Sequence, residues 1–322
     1  MAATKTVRKT TAARTTAKPA ITNGQAEKTS NGVEIKQNDR IAVMKTYKIF
    51  INGQFPRTES GRYYTINTSE GTVLNMCLSS RKDFRNAVVA ARNAQEKWEG
   101  KTAYNRSQII YRIAEMLETR RAQFEQEIVS LGISAELAKK EVSKAIDTVI
   151  YYAGWCDKYN QIFSTVNPVA SSHFNFSSTE AVGVVAMFAD ENSPLLGFIA
   201  AVMPVICSGN TAIVLASEKY APCAVTFAEV LATSDVPAGV LNILTGKRSE
   251  LLSHFASHMD VNAMYAHTSD AALKKEIDTK AALNVKRVRI DSENDWFSDK
   301  AKSPYRIMDF LEIKTTWHPI GI

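Results

Sequence analysis

Residues 181–246 read AVGVVAMFADENSPLLGFIAAVMPVICSGNTAIVLASEKYAPCAVTFAEVLATSDVPAGVLNILTG. Three runs within it, AVGVVAMFA, TAIVLA and VLNIL, are short and apolar, and the segments starting near Pro194 and Pro222 have helical length. A strand without a polar face must be covered on both sides, as happens when helices connect the strands of a parallel sheet. The rhythm continues through VNAMYA and VKRVRI, separated by segments starting near Ser249 and Ser269. This predicts an α/β fold, a doubly wound parallel sheet over residues 181–291 with its ligand crevice at the carboxyl ends of the strands.

Upstream, residues 41–160 carry three amphipathic stretches. Phe84, Val88 and Ala91 mark the first, and Ile109, Ile113, Leu117, Phe124, Ile128 and Leu131 the second, which ends at Gly132. Val142, Ile146, Val149, Ala153 and Cys156 mark the third. Before them, YKIFINGQF reads as two strands around the tight-turn dipeptide Asn52-Gly53. Residues 161–180, with Pro168, suit a two-stranded excursion from the body. Downstream, residues 292–310 are charged and aperiodic and read as a linker, and residues 311–322 supply a terminal strand. Trp98, Trp155 and Trp317 are read as core or interface anchors.

The net charge of +6 is unevenly placed: residues 1–40 hold eight Lys/Arg against three Asp/Glu and leave the rest nearly neutral. This opening segment lacks large apolar side chains and is expected to be a disordered basic tail. Nucleic-acid contact through Lys5, Arg8, Lys9, Arg14 and Lys18 and organellar targeting both stand beside a plain solubilising role, which charge runs without aromatic partners usually have. The longest apolar run, Pro194 to Cys207, is interrupted by Gly197 and Pro204 and is too short to span a bilayer. Cys77, Cys156, Cys207 and Cys223 lack CxxC spacing, which fits buried thiols in a reducing, cytoplasmic compartment. Cys223, near a predicted helix start, is the one whose pKa such a position would lower. His254 and His258 have the i,i+4 spacing of a metal pair but no third ligand nearby, so no metal site is expected.

Four segments in order, AGWCDK at 153–158, EAVGVVAMF at 180–188, SGNTAIVLASE at 208–218 and VPAGVLNILTG at 236–246, resemble the aldehyde dehydrogenase superfamily. The resemblance resumes with FLEIKTTWHPI at the terminus. It implies an NAD-binding domain with a small β oligomerisation element formed by the 161–180 hairpin and the terminal strand. The family's chemistry requires a cysteine nucleophile, a glutamate base, an oxyanion-binding asparagine and a nicotinamide cofactor.

Followed residue by residue, the family's Pro-Trp-Asn-Phe-Pro stands here as Asp190-Glu191-Asn192-Ser193-Pro194, so Asn192 is the vestige of the oxyanion site. Lys-Pro-Ser-Glu reads Leu215-Ala216-Ser217-Glu218, leaving Ser217 and Glu218 as remnants of the cofactor site. Phe-Thr-Gly-Ser reads Tyr265-Ala266-His267-Thr268: Thr268 keeps a hydroxyl, but His267 replaces a glycine beside the phosphates. Glu-Leu-Gly-Gly aligns with Asp291-Ser292-Glu293-Asn294, making Asp291 a shortened vestige of the general base, and no cysteine follows Cys223.

The resemblance therefore implies a truncated, degenerate member lacking most of the catalytic domain. The expected role is a non-catalytic scaffold or regulatory subunit, forming a homo-oligomer or a hetero-oligomer with a full-length aldehyde dehydrogenase. No bound cofactor is expected, with NAD weak at most. The alternatives are an NAD-dependent aldehyde dehydrogenase completed by another chain and a nucleic-acid-associated protein acting through the tail. Because residues 1–40 contribute little to a core, their deletion is expected to leave the melting temperature unchanged in a calorimetric scan; a fall of several degrees would show that they pack on the body.

Overall fold

The structure, a computed structural model, describes residues 44–292 and 295–321. The basic tail expected for residues 1–40 lies outside the described residues. In chain order the elements begin with β1 (Thr46–Tyr47), β2 (Tyr63–Asn67) and β3 (Val73–Cys77), then α1 (Arg81–Glu99), α2 (Ala103–Thr119), α3 (Arg121–Ser130), α4 (Ala135–Ala153) and α5 (Tyr159–Phe163). The hairpin strands β4 (Thr165–Asn167) and β5 (His173–Ala181) follow. Next come β6 (Val184–Phe188), α6 (Leu196–Cys207), β7 (Thr211–Leu215), α7 (Ala221–Leu231), β8 (Leu241–Leu244), α8 (Arg248–Ser257), β9 (Ala263–His267), α9 (Ala271–Ala281) and β10 (Arg287–Asp291). The chain closes with α10 (Tyr305–Met308) and β11 (Leu311–Pro319).

The central sheet is five-stranded and parallel, in the order β10-β9-β6-β7-β8. Side chains alternate along each strand, so successive residues enter different layers. Val184, Ala186 and Phe188 of β6 join Phe84, Val88, Leu251, Phe255 and Ile277 on the side covered by α1, α8 and α9. Val185 and Met187 join Ile110, Val142, Ile199 and Phe227 on the side covered by α2, α4, α6 and α7. This two-sided covering is why the strands read as unbroken apolar runs.

The motifs at the amino ends of the strands are structural. Asn210 accepts from the Gly183 amide at 2.7 Å and donates to Phe310 O at 2.8 Å, tying the starts of β6 and β7 to the segment before β11. Asn242 donates to Gly239 O at 2.8 Å and accepts from the Asn52 amide at 3.0 Å. Gly239 (φ +88°) turns the chain into β8 so close to α1 that a Cβ there would stand 2.5 Å from Ala90 O.

Three elements differ in part from the reading of the sequence. Asn52 and Gly53 turn at positive φ (53° and 73°) and Ile51 and Gln54 pair across them through two backbone hydrogen bonds of 3.0 Å, but the flanks do not continue as paired strands. Beyond this bridge Phe50 exchanges backbone hydrogen bonds of 2.8 Å with Ile243, covering the edge of β8. The predicted second helix breaks at Arg120 (φ −101°, ψ 11°), whose guanidinium pairs with Glu229 of α7 at 2.8 Å. The break still leaves Phe124 and Ile128 fully buried.

Within the segment 292–310, expected to be a linker, the described residues 295–310 are packed and bury Trp296, Ala301, Ile307 and Phe310. β11 then pairs antiparallel with β5 from Leu311↔Ala181 to Pro319↔His173, completing a separate sheet in the order β11-β5-β4. Gly239→Ala is expected to cost about 2–4 kcal/mol through overpacking and left-handed strain, read from the urea midpoint; an unchanged midpoint would refute the close approach.

Candidate functional site

From β6 the chain moves outward through β7 to β8, then returns across the sheet to β9 and β10. The connections leaving β6 and β9 therefore diverge, and a crevice opens at their carboxyl ends. Asp190 follows β6 and His267 ends β9, and the His267 Nδ1 lies 3.1 Å from Asp190 Oδ1, placed to donate to it. Trp296 Nε1 donates to Asp190 Oδ2 at 2.7 Å, and the Asn192 amide donates to Oδ1 at 2.9 Å. Burial pushes the Asp190 carboxyl up, but these hydrogen bonds outweigh it and hold the group below the usual carboxylate range. His267 is 8% exposed and its Nε2 has no hydrogen-bond partner. Among the described residues it lines, with Glu141, Asn192 and Asp295, a cavity of about 560 Å³.

The N-terminus of α6 borders this cavity. Its capping residue, Leu195, has no side chain that could serve the free amides. Glu141 of α4 supplies the acceptor: its Oε1 takes the Leu195 and Leu196 amides at 3.1 and 2.9 Å and the Ser193 hydroxyl at 2.6 Å. A buried carboxylate is thereby stabilised by the helix dipole and three donors.

A second polar group forms at the end of β7. Arg248, first residue of α8, spans the crevice edge: Nη1 donates to His267 O at 3.2 Å, Nη2 donates to Ala189 O, and Nε lies 3.1 Å from Glu191 Oε1. Glu191 Oε2 accepts from Ser217 Oγ at 2.6 Å and from the Glu218 amide at 2.9 Å, while Glu218 Oε1 accepts the Arg248 amide at 3.0 Å. The Tyr64 phenol is pushed well above its usual range by burial and then by Glu218 and Glu191. Tyr64 OH and His267 Nε2 are buried without a hydrogen-bond partner, while Glu191 Oε1 and Arg248 Nε face each other in the 3.1 Å ion pair. Orphaned polar atoms gathered at the carboxyl edge of a parallel sheet mark a place where a ligand completes the bonding.

The structure brings together most, but not all, of the residues singled out from the sequence. Ser217 and Glu218 lie within the Arg248–Glu191 network, and Asn192 lines the cavity. Thr268 lies beyond β9, its Oγ1 accepting the Asp270 amide at 3.1 Å. Asp291 is committed elsewhere: Arg306 Nη1 and Arg289 Nε approach it at 2.9 Å each, and Tyr265 OH donates to it at 3.2 Å. The Cys223 thiol is not lowered; burial, then Glu127 and Glu141, push it well above the ordinary range. His258 falls just past α8, with its ring edge-on to Phe84 at 5.6 Å, so no shared helical face presents it with His254. Asp190, Glu191 and His267 escaped the sequence reading as functional groups because each registered only as a departure from a pattern, and Arg248 stood in no motif at all.

Fold and site define a doubly wound α/β domain of the nucleotide-binding class. The chain belongs to the aldehyde dehydrogenase family, whose model matches residues 55–293. It is 30% identical over 277 residues to the cytosolic 10-formyltetrahydrofolate dehydrogenase of Xenopus laevis, covering 84% of this chain and 30% of that protein. It is 29% identical over 264 residues to the human mitochondrial 10-formyltetrahydrofolate dehydrogenase, covering 80% of this chain and 28% of that protein. The NAD+ complex of an aldehyde dehydrogenase from Bacillus cereus superposes with a TM-score of 0.72 at 25% identity, over 76% of this chain and 50% of that one. The chain thus spans about a third of the length of these curated relatives, which include cytosolic and mitochondrial forms.

These findings correct the expectation that no cofactor is used: the family and the NAD+ complex of a structural relative point to NAD(P). His267, which the sequence reading placed beside the phosphates, holds its ring against Asp190 at 3.1 Å. No helix among the described residues is long and apolar enough to cross a membrane.

Because the folded Asp190 pKa is depressed, its contribution to stability is present above the unfolded value of about 3.9 and is lost as pH falls through the folded value. The difference in unfolding free energy between the wild type and Asp190→Asn should therefore hold constant from neutrality to about pH 5 and shrink below about pH 4. Urea denaturation across that range checks this, and a difference independent of pH would refute it.

Proposed function

We propose that this chain is a nucleotide-binding but non-catalytic aldehyde dehydrogenase-like subunit, working as a scaffold or regulatory partner of a full-length relative. The observation that carries the reading is the segment between β10 and β11. It sets Trp296 against Asp190 at the mouth of the crevice and commits Asp291, aligned with the family's general base, to Arg306. Each of the chain's four cysteines is buried, and none is among the described residues lining the crevice cavity. A thiolate nucleophile and a free carboxylate base are what aldehyde oxidation requires of the protein.

The polar groups present fit a dinucleotide of the family's kind. Ser217, Glu218 and Glu191 offer acceptors to ribose hydroxyls, Thr268 offers a hydroxyl to a phosphate oxygen, and the Arg248 guanidinium, bonded to His267 O, Ala189 O and Glu191, adds positive charge at the crevice edge. The buried Tyr64 OH beside Glu218 and Glu191, and the His267 Nε2, lack hydrogen-bond partners and are atoms such a ligand would satisfy. Bound NAD(P) would supply hydride acceptance to an assembly containing a catalytic relative, and this chain's residues would hold and orient it.

Assembly is supported by the separate three-stranded sheet. β11 is its edge, and Ile313, Trp317, Val166 and Phe174 are exposed on it. An unpaired edge with apolar side chains is a template for association. A hetero-oligomer with a full-length relative is favoured over a homo-oligomer, since the relative brings a further sheet to pair with that edge.

Calorimetric titration with NAD+ and NADP+ should give saturable binding, weakened about tenfold or more by Arg248→Ala through loss of the cation that ties Ala189, His267 and Glu191 at the crevice edge. The same protein should produce no aldehyde-dependent NADH. Absence of binding would overturn the nucleotide assignment, and turnover by the purified chain would overturn the non-catalytic one.

A further inference from the structure

We propose that the seam between α1 and α8 binds a compact multivalent phosphate through Arg81, Arg85 and His254, on a surface separate from the nucleotide-binding groups around Arg248. Three observations carry this: which side chains face the seam, which of the arginines are matched by acids, and where the positive stripe ends.

The first is placement. Phe84 of α1 stacks on Phe255 of α8 with ring centroids 4.0 Å apart, and both side chains are buried. This contact fixes the rotation of the two helices about their axes. Arg81 and Arg85 are one helical turn apart and share a flank of α1 beside Phe84. Arg92 continues the same stripe and reaches Asp260 at 2.8 Å, so the stripe faces the end of α8. On that side His254 precedes Phe255, and His258, just past the helix, stands edge-on to Phe84 at 5.6 Å. Arg248 opens α8 at the crevice, a turn and a half or more away from both histidines.

The second is charge. Arg92 has its acid, and it also donates to Asn262 Oδ1 at 2.6 Å. Arg81 and Arg85 are exposed, and among the described residues no carboxylate pairs with either. Histidines stand where further carboxylates would be expected. Burial, then Arg81 of α1 and Lys280 of α9, push the His254 imidazole below its usual range. Burial lowers His258 as well; Asp260 opposes that fall, while Lys286, Arg81 and Arg85 deepen it. Cations gathered in this way repel one another, and an anion entering between them relieves the repulsion and accepts their hydrogen bonds.

The third is extent. The stripe is closed along α1 by the pairing of Lys82 with Glu59 at 2.7 Å and of Arg92 with Asp260, and Lys280 is held by Glu276 at 2.6 Å. The unmatched arginines therefore cover about one helical turn, which suits a short chain of phosphates and leaves nothing for a long strand to follow. A phosphate offers three acceptor oxygens that two guanidinium forks can share, whereas a carboxylate offers two.

The full chain is titrated by calorimetry with tripolyphosphate, with the tricarboxylate tricarballylate and with a single-stranded oligothymidylate. The His254 imidazole is followed by NMR, its resonance assigned by its loss in His254→Gln. Tripolyphosphate should bind at least about tenfold tighter than tricarballylate and should shift the His254 resonance. Arg81→Ala and Arg85→Ala should each weaken it about tenfold or more, and neither should weaken the oligothymidylate. Arg85→Ala decides alone should Arg81→Ala, at the helix start, fail to fold. Absence of tripolyphosphate binding, an unmoved His254 resonance, equal binding of tricarballylate, or affinity unaffected by the arginine substitutions would overturn the proposal. So would an oligothymidylate affinity that falls with tripolyphosphate's, since the surface would then serve a nucleic-acid strand. Arg248→Ala should leave tripolyphosphate bound and Arg81→Ala should leave NAD(P) bound, so either assignment can fail without the other.

Discussion

A parallel strand buried on both faces can present polar groups only at its ends, and this protein is organised around that constraint. Along β6, β7, β8 and β9 every residue is buried. The amino ends are closed by amides and hydroxyls that bond to backbone, as Asn210 and Asn242 do. The carboxyl ends collect the charged side chains. Stability and chemistry are thereby placed at opposite edges of one sheet.

At the carboxyl edge, the energetics favour matched groups. Asp190 and Glu191 would be expensive as isolated buried charges. Each is instead bonded to a partner from a different strand connection: Asp190 to His267 and Trp296, and Glu191 to Ser217 and Arg248. Glu141 serves the amides of α6 in the same manner. What these pairings leave open, Tyr64 OH and His267 Nε2, bears on what the crevice is able to bind.

The short passage from β10 to β11 sets the other boundary. It crosses the mouth of the crevice, where Trp296 is buried with the Arg306 guanidinium 5.3 Å from its ring, and then delivers β11 to the hairpin. Its charged composition reads as a linker because Asp291 and Arg306 look like solvated charges until the fold pairs them at 2.9 Å. The same passage holds the terminal strand in register with β5, leaving an edge that suits association.

The sequence by itself determined the α/β layering, because short apolar runs alternating with segments of helical length suit a parallel sheet covered on both faces, and it pointed to the family through AVGVV, SGNTAIV and VPAGVLN, whose Gly183, Asn210 and Gly239 set the starts of β6, β7 and β8. Asn52-Gly53 marked a tight turn correctly, but only the docking of Phe50 on Ile243 decided what the turn was for. Ser217, Glu218 and Asn192 were legible as places in a pattern. The tertiary structure alone decided the site: Asp190 and His267 are 77 residues apart in sequence and meet because β6 and β9 are neighbours in the sheet. Hydrophobic periodicity is a local property of the chain, whereas the pairing of polar groups depends on strand order, which no local pattern encodes.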